Sequence, residues 1–405
     1  MRLKDVASVN LRSLDESTRD DYTFKYIDIS SVSFEDGIAL GEDIIFGQAP
    51  SRARRIVKKG DVLISTVRTY LRAIADIDWD AQNVIASTGF AVYTPNHKIN
   101  PRFLAYSAKS TDVINQICAN SKGVSYPAIQ APILSSVTIP FFAINEQEAI
   151  AAYLDKECEK IGQQIELLER KADAYKRLRR SIINRAVTRG LNPNSPLKQS
   201  GIDWVGEIPE HWNVSRFAHY FREHTISNKG VNHQNLLSLS FGKIIRKDID
   251  TCDGLLPASF ETYQIVEPGN IILRFTDLQN DHRSLRVGLV KEEGIITSAY
   301  TCVEGNDETI PEFCYYLLHS YDIKKVFYKL GGGMRQTLNY KTTKDMAVVI
   351  PPVEEQKAIV AYLDEKCGKI DAIIEKIGAK VERLKELKRS LINEVVTGKR
   401  AINNI

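Results

Sequence analysis

One charged, proline-free stretch occurs twice in this chain of 405 residues. The first copy, EQEAIAAYLDKECEKIGQQIELLERKADAYKRLRRSIINRAVT, begins at Glu146. The second, EQKAIVAYLDEKCGKIDAIIEKIGAKVERLKELKRSLINEVVT, begins at Glu355, and the offset of 209 residues (355 − 146) holds throughout. Both copies are rich in Ala, Leu, Glu, Lys and Arg, which favour helix. The sequence therefore predicts two long helices, over 145–190 and 353–400.

Apolar residues recur within each copy at steps of three and four, the spacing typical of a coiled-coil seam. In the first copy they are Ile150, Leu154, Cys158, Ile161, Ile165, Leu168, Ala172, Tyr175, Leu178, Ile182 and Ala186. In the second they are Ile359, Leu363, Cys367, Ile370, Ile374, Ile377, Val381, Leu384, Leu387, Leu391 and Val395. A helix of this length spans about 65 Å, more than one globular core needs. A coiled coil is thus favoured over two surface helices on separate cores.

Charge predicts how the two helices pair. Residues 146–169 hold seven acidic and two basic side chains, a net charge of −5, and residues 170–189 hold eight basic and one acidic, a net charge of +7. The second copy has the same polarity, with five acidic and four basic side chains over 355–378 (−1) and seven basic and three acidic over 379–400 (+4). Antiparallel pairing places acid against base. We expect an antiparallel rod with one globule at each end.

The segments between the helices also repeat, although more loosely. KKGDVLIS around Gly60 matches EPGNIILR around Gly269, and the closing VTIPFF of the first segment matches VVIPPV of the second. Strand and helix signals recur in the same order while the loops diverge, which indicates an internal duplication with a pseudo-twofold axis. We predict two mixed α/β (α+β) domains, over 1–144 and 213–352, with a linker rich in Pro, Gly, Asn and Ser over 191–212.

Several classes of function lack support in the sequence. No apolar run reaches membrane-spanning length, and the N-terminus has no signal-peptide core. The six cysteines include no C-x-x-C pair, so we expect a reduced protein in the cytoplasm. No glycine fingerprint for a nucleotide and no zinc-like histidine spacing occurs. We therefore predict no catalytic residue, metal ligand or cofactor site in this chain.

Two basic clusters, one in each globular segment, are the strongest binding signals. Residues 44–75 hold seven basic side chains and one acidic, and residues 323–344 hold six basic side chains and no acidic one, so each has a net charge of +6. A solvated basic face is the alternative for either cluster alone. Arg and Lys neutralise phosphates, and Arg, Gln and Asn pair with base edges in the major groove. The candidate DNA-binding residues of the first segment are Arg52, Arg54, Arg55, Arg68, Tyr70, Arg72, Lys122, Ser125 and Tyr126. Those of the second are Arg274, Arg283, Arg286, Lys329, Arg335, Gln336, Asn339 and Tyr340.

The order of globule, heptad helix, GIDWVGEIPEHW linker, globule and heptad helix resembles the specificity subunit of type I restriction–modification systems. IPFFAINEQEAIAAYLD, IPPVEEQKAIVAYLD and the helix endings SIINRAVT and SLINEVVT carry the same resemblance. It implies that each globule is a target-recognition domain that reads one half of a bipartite site in double-stranded DNA. It also implies that the helix pair sets the spacer and docks two modification subunits, through which restriction subunits join.

The same resemblance assigns the chemistry to those partners. S-adenosylmethionine is expected in the methyltransferase subunit, and ATP and Mg in the restriction subunit, with no cofactor in this chain. Two alternatives remain open from the residues: a coiled-coil scaffold that binds protein instead of DNA, and an orphan specificity subunit that acts as a regulator.

Overall fold

The computed structural model describes residues 1–35, 37–230, 233–249, 259–278, 280–281, 285–330 and 338–402. The chain forms two compact units. The first unit comprises residues 1–170 and 377–405, and the second comprises residues 171–376. Each unit therefore contains one set of β-sheets and a part of both long helices.

The first unit is built on two four-stranded sheets. Its strands are β1 (Ala7–Val9), β2 (Thr23–Ile27), β3 (Val32–Ser33), β4 (Gly37–Ile38), β5 (Asp43–Ile45), β6 (Ala53–Ile56), β7 (Val62–Ser65), β8 (Ile74–Asp76), β9 (Val84–Ser87) and β10 (Phe90–Pro95). One sheet has the antiparallel order β1-β10-β7-β8. The other has the order β5-β2-β9-β6, in which β2 and β9 are parallel.

Helices cover the first of these sheets. They are α1 (Leu3–Val6), α2 (Pro101–Ala108), α3 (Thr111–Ala119), α4 (Ala131–Leu134) and the long α5 (Ile144–Arg189). Asn100 caps α2, since its side-chain oxygen accepts the amide of Phe103 at 3.0 Å and Pro101 occupies the first helical position. Phe103 and Leu104 are fully buried against the sheet.

The second unit repeats the antiparallel four-stranded sheet of the first and adds a three-stranded sheet and two-stranded ones. Its strands are β11 (Leu197–Gln199), β12 (Glu207–Pro209), β13 (Asn213–Arg216), β14 (Phe221–Glu223), β15 (Ile226–Ser227), β16 (Leu237–Ser240), β17 (Lys243–Arg246), β18 (Gln264–Val266), β19 (Ile271–Leu273), β20 (Val287–Leu289), β21 (Gly294–Ile296), β22 (Thr301–Gly305) and β23 (Ala347–Ile350). Its helices are α6 (Phe217–Tyr220), α7 (Pro311–Ile323), α8 (Val326–Leu330), α9 (Tyr340–Thr343) and the long α10 (Val353–Val396).

Sheet topology confirms the predicted duplication. The order β14-β22-β19-β20 in the second unit matches β1-β10-β7-β8 in the first, and both sheets are antiparallel. Val62 pairs with Tyr93 in one sheet, and Ile271 pairs with Val303 in the other. The closing segments differ: β23 pairs with β13, whereas residues 137–142 contribute only an isolated bridge between Arg2 and Thr138.

The long helices pair in the predicted antiparallel direction within each unit. In the first unit the start of α5, including Ile150 and Leu154, shares a core with Leu391 and Val395 at the end of α10. In the second unit the end of α5 packs with the start of α10: Ile183, Ala186 and Val187 share a core with Ile359, Leu363 and Cys367. Arg179 and Asp371 form an ion pair between the helices at 3.1 Å.

The seam prediction is wrong at one repeated position. Leu178 and Leu387, which are equivalent in the two copies, are 47% and 51% exposed. Other predicted seam residues are buried or half-buried: Ile150, Leu154, Ile161, Ile165 and Leu168 on α5, and Ile359, Leu363, Ile370, Ile374, Ile377 and Leu384 on α10. A strict heptad reading places Leu178 and Leu387 at the seam, yet their side chains face away from it.

The predicted linker has structure of its own. β11 and β12 form a short antiparallel hairpin within residues 191–212, and Trp212 is completely buried in the core of the second unit. No helix among the described residues combines the length and the apolar character that a membrane crossing requires.

Candidate nucleic-acid interface

Two loops of the first unit meet at one end of its antiparallel sheet. Loop one (residues 66–72) follows β7, and loop two (residues 120–130) connects α3 to α4. The amide of Arg68 donates to the carbonyl of Pro127 at 2.7 Å, and the amide of Ile129 donates to the carbonyl of Thr66 at 2.8 Å. These backbone bonds join segments distant in sequence into one surface.

Side chains add to the contact between loop one and loop two. The guanidinium of Arg68 lies over the ring of Tyr126, 4.8 Å from its centroid. The hydroxyls of Thr69 and Ser121 are 2.9 Å apart. Arg68 and Arg72 have φ angles of +49° and +53°, a left-handed conformation that residues other than glycine rarely adopt. Such backbone strain concentrates at functional sites, where the surrounding structure holds it in place.

The structure brings six of the predicted residues together on this surface. Arg68, Tyr70, Arg72, Lys122, Ser125 and Tyr126 all belong to loops one and two and are exposed. Tyr70 is 55% exposed and Tyr126 is 66% exposed. Sequence reasoning missed Val124 at the tip of loop two, whose side chain is fully exposed. Its apolar character gave no signal in a search for charged side chains.

The cluster at residues 52–55 divides between two environments. Arg52 is exposed. Its carbonyl accepts the amide of Thr88, and the carbonyl of the next residue, Gly89, accepts the amide of Thr66 in loop one. Arg52 therefore lies at the same end of the domain as loop one. Arg54 and Arg55 lie within β6 of the other sheet and are half-buried. The guanidinium of Arg54 packs over the ring of Phe46 at 4.8 Å.

The second unit contains an equivalent pair of loops. We call loop three the described residues 274–278, 280–281 and 285–286, which follow β19 as loop one follows β7. We call loop four the described residues 326–330 and 338–343, which include α8 and α9 and correspond to loop two. The amide of Leu338 donates to the carbonyl of Phe275 at 3.4 Å. Leu338 and Phe275 lie 209 positions after Ile129 and Thr66, which is the offset between the two helical repeats (355 − 146). The bond is therefore the counterpart of the bond between Ile129 and Thr66.

The prediction that Arg286 contacts DNA is wrong. Its side chain is completely buried, and its guanidinium donates to the carbonyls of Arg274, Thr276, Asp277 and Asp281 at 2.5–3.1 Å. Nε donates to the hydroxyl of Tyr328 at 2.9 Å. With its donors used on the backbone of loop three, Arg286 shapes that loop and is unavailable to a phosphate or a base.

The remaining predictions for the second unit divide into three groups. Lys329 is exposed, and Arg274 is half-buried with its guanidinium 3.5 Å from Asp281. Asn339 caps α9 by accepting the amide of Thr342, and the Tyr340 hydroxyl donates to the carbonyl of Phe221 at 2.7 Å. Asn339 is exposed and Tyr340 is half-buried, so each has a structural role, and their contact with DNA stays a prediction. The predicted contacts outside the described residues are Arg283, Arg335 and Gln336.

Burial shifts the protonation of two groups on α7. Desolvation raises the pKa of Asp322 to about 6, although the backbone amide of Arg286 donates to its carboxylate at 2.6 Å. Desolvation, helped by the charges of Arg179 and Arg180, lowers the pKa of His319 to about 4. Among the described residues, no group of three or more His, Cys, Asp or Glu side chains is placed to hold a metal ion.

The family described as the type I restriction modification DNA specificity domain matches residues 1–170 and 286–383 of the chain. The chain belongs to this family. It is a DNA-specificity subunit, a class of protein that recognises DNA and leaves catalysis to other subunits.

Individual relatives agree with this assignment. The MjaVIII specificity subunit of a type I restriction enzyme from Methanocaldococcus jannaschii is 24% identical over 356 residues, covering 81% of this chain and 79% of the relative. The EcoBI specificity subunit from Escherichia coli is 23% identical over 332 residues, covering 74% of this chain and 66% of the relative. A chain from a solved structure of complex assembly in the type I R-M system has the same fold, with a TM-score of 0.72, 20% identity and coverage of 99% and 97%.

Proposed function

We propose that this specificity subunit reads a bipartite, asymmetric site in double-stranded DNA. Loops one and two would contact one half-site, and loops three and four the other. The observation that carries this proposal is the repeated backbone bond between the paired loops, from Ile129 to Thr66 and from Leu338 to Phe275. A shared scaffold with different side chains on its loops gives two readers of the same kind with different sequence preferences.

Electrostatics support DNA as the ligand of the first loop pair. Arg68, Arg72 and Lys122 are exposed on one surface, and Arg52 lies at the same end of the domain. Cations of this kind neutralise phosphates and position a protein on the duplex, while side chains that reach base edges supply specificity. Ser125 and the Tyr126 hydroxyl are the exposed hydrogen-bonding groups beside those cations.

We further propose that α5 and α10 set the spacer between the half-sites and dock two modification subunits. Each is a single uninterrupted helix, of 46 and 44 residues respectively. Exposed apolar side chains on them, including Leu167, Leu178 and Leu387, are candidates for that contact. Restriction subunits would join through the modification subunits. S-adenosylmethionine would act in the modification subunits, and ATP and Mg in the restriction subunits.

Methylome sequencing tests this proposal. A host that carries the modification subunit is compared with and without this chain. We expect methylated adenines in a two-part motif only when the chain is present. Methylation that does not depend on the chain, or that follows a single continuous motif, would overturn the proposal. We also expect the chain to co-purify with modification subunits in a 1:2 ratio.

A further inference from the structure

The tip of loop two is a narrow, protruding ribbon. Lys122 and Ala128 exchange two backbone hydrogen bonds, each 2.8 Å long, which close the loop at its base. Gly123 turns the chain with φ of +108°, and a side chain there would approach the carbonyl of Tyr126. The base of the loop is fixed in turn to loop one by the Arg68–Pro127 backbone bond. The ribbon is thus two chain segments wide, closed by one antiparallel bridge between Lys122 and Ala128 and fixed to loop one.

An aliphatic side chain occupies the outermost point of this ribbon. Val124 has a relative exposure of 101%, the highest among the large apolar side chains that the structure describes. It has no donor or acceptor, and its surroundings are cationic, with Lys122 beside it and Arg68 stacked on Tyr126. The cations favour a polyanion as the occupant of this surface over an apolar protein partner.

The width of the ribbon, two chain segments paired through one antiparallel bridge, fits the major groove better than the minor groove. The major groove of B-DNA admits a two-stranded β-ribbon, while the minor groove is about half as wide. Base edges in the major groove present donors and acceptors, and the thymine C5-methyl group is the apolar feature among them. The thymine C5-methyl group is therefore the feature of the base edges in the major groove that matches the apolar side chain of Val124.

We propose that Val124 contacts the C5-methyl group of a thymine in one half-site and makes that position specific for thymine. Arg68, stacked on Tyr126, would hold the ribbon in place for this contact. This inference rests on the proposed DNA-reading function and specifies one recognised base, thymine, and the residue that contacts it, Val124.

The test uses deoxyuridine, which lacks only the C5-methyl group of thymidine. The chain is purified with its modification subunits, and its motif is first determined by methylome sequencing. Binding is then measured on duplexes in which each thymine of the motif is replaced singly by deoxyuridine. Wild type and Val124→Ala are compared at the same salt concentration. Because Val124 is fully exposed, its truncation leaves the core intact.

We expect one deoxyuridine to weaken wild-type binding by about fourfold, the effect of losing one buried methyl group. Val124→Ala should bind the thymidine and deoxyuridine duplexes equally. Leu40→Ala, which shortens an exposed aliphatic side chain outside both loops, should keep the wild-type discrimination. Deoxyuridine in the other half-site should affect wild type and Val124→Ala alike.

Three outcomes overturn the inference while the DNA-reading function stands: a half-site without thymine, binding insensitive to every deoxyuridine, or unchanged discrimination in Val124→Ala. In the second of these outcomes, kinked DNA would place the ribbon in the minor groove as a wedge. The absence of any two-part motif would instead defeat the proposed function itself.

Discussion

Gln356 holds the start of α7 in the same way that Gln147 holds the start of α2. The Oε1 atom of Gln147 accepts the amide of Asn100 at 2.8 Å, and that of Gln356 accepts the amide of Ile310 at 2.7 Å. Each Nε2 group donates to two carbonyls, those of Lys98 and Phe142 in one unit and of Glu308 and Pro351 in the other. Both glutamines are completely buried. We call each set of three glutamine hydrogen bonds a clamp. One clamp fixes each long helix to the globular part of its unit.

Loss of this clamp should destabilise the unit that contains it. Gln356→Leu removes the partner of the Ile310 amide and of the Glu308 and Pro351 carbonyls, of which Pro351 is buried, and a buried unsatisfied group costs about 1–3 kcal/mol. We expect a loss of roughly 1–3 kcal/mol of unfolding free energy. Urea unfolding followed by tryptophan fluorescence measures it, since the buried Trp212 lies in this unit. Gln163→Leu, on the exposed face of α5, should change stability by less than about 0.5 kcal/mol. Equal effects of the two variants would contradict the clamp.

Arg286 should control the second half-site without touching DNA. Lysine has three donors and cannot replace a guanidinium that serves four carbonyls and the Tyr328 hydroxyl. Arg286→Lys should therefore deform loop three and relax discrimination in one half-site only. Competition binding on duplexes with single base substitutions in both half-sites measures this. Arg222→Lys, at an exposed ion pair with Glu304, is the matched control and should leave both half-sites unchanged. A uniform loss over both half-sites would argue against loop positioning.

Arg72 is expected to contact a phosphate. Removing one phosphate contact reduces the slope of log affinity against log salt concentration by about 1 and weakens binding to all sequences alike. Arg72→Ala should show this change in a salt titration of DNA binding. Lys98 lies at the opposite end of the strands, before α2, so Lys98→Ala should keep the wild-type slope. An unchanged slope for Arg72→Ala removes this residue from the phosphate contacts.

His319 should make the second unit sensitive to acid. Its pKa is lowered from the usual 6.5 to about 4 by burial, so between these values the unfolded chain binds a proton that the folded chain does not. The contribution of neutral His319 to the free energy of unfolding is fully present above pH 6.5 and falls by about 3 kcal/mol as the pH decreases to 4. His319→Phe keeps a ring that can stack on Tyr315, 5.5 Å away, and should lose this dependence.

Urea unfolding of wild type and His319→Phe at several pH values between 4 and 7 measures the difference. Comparing the two cancels the opposite contribution of Asp322, whose raised pKa weakens the fold as pH increases from 4 to 6. His97→Phe, at an exposed loop position, should follow wild type. Parallel curves for wild type and His319→Phe would contradict the account of this buried histidine.

The periodicity and the charge distribution of the sequence predicted the main features of the fold. The heptad spacing predicted both long helices, and the charge gradient predicted their antiparallel pairing, because these are properties of one helix face and one helix end. The exposure of Leu178 and Leu387 was not predictable, since a heptad pattern assigns positions without knowing which neighbour covers them. The buried roles of Gln147 and Gln356 depend on carbonyls from distant segments and leave no local signal.

The candidate site was predictable in part for a similar reason. Charge identified Arg68, Arg72 and Lys122, which are exposed on one surface. It also selected Arg286, because the sequence does not distinguish a guanidinium that binds phosphate from one that binds its own backbone. Pairing of loops one and two depends on long-range backbone bonds, so Val124 emerged only from the structure.

We propose that each globule reads its own half of a two-part site. Methylome sequencing of a host that expresses the modification subunits with a chain altered only at residues 122–128 tests it most directly. We predict that one half of the methylated motif changes or relaxes, while the other half and the spacer between them stay as in wild type. A motif altered in both halves, or unchanged throughout, would contradict the claim.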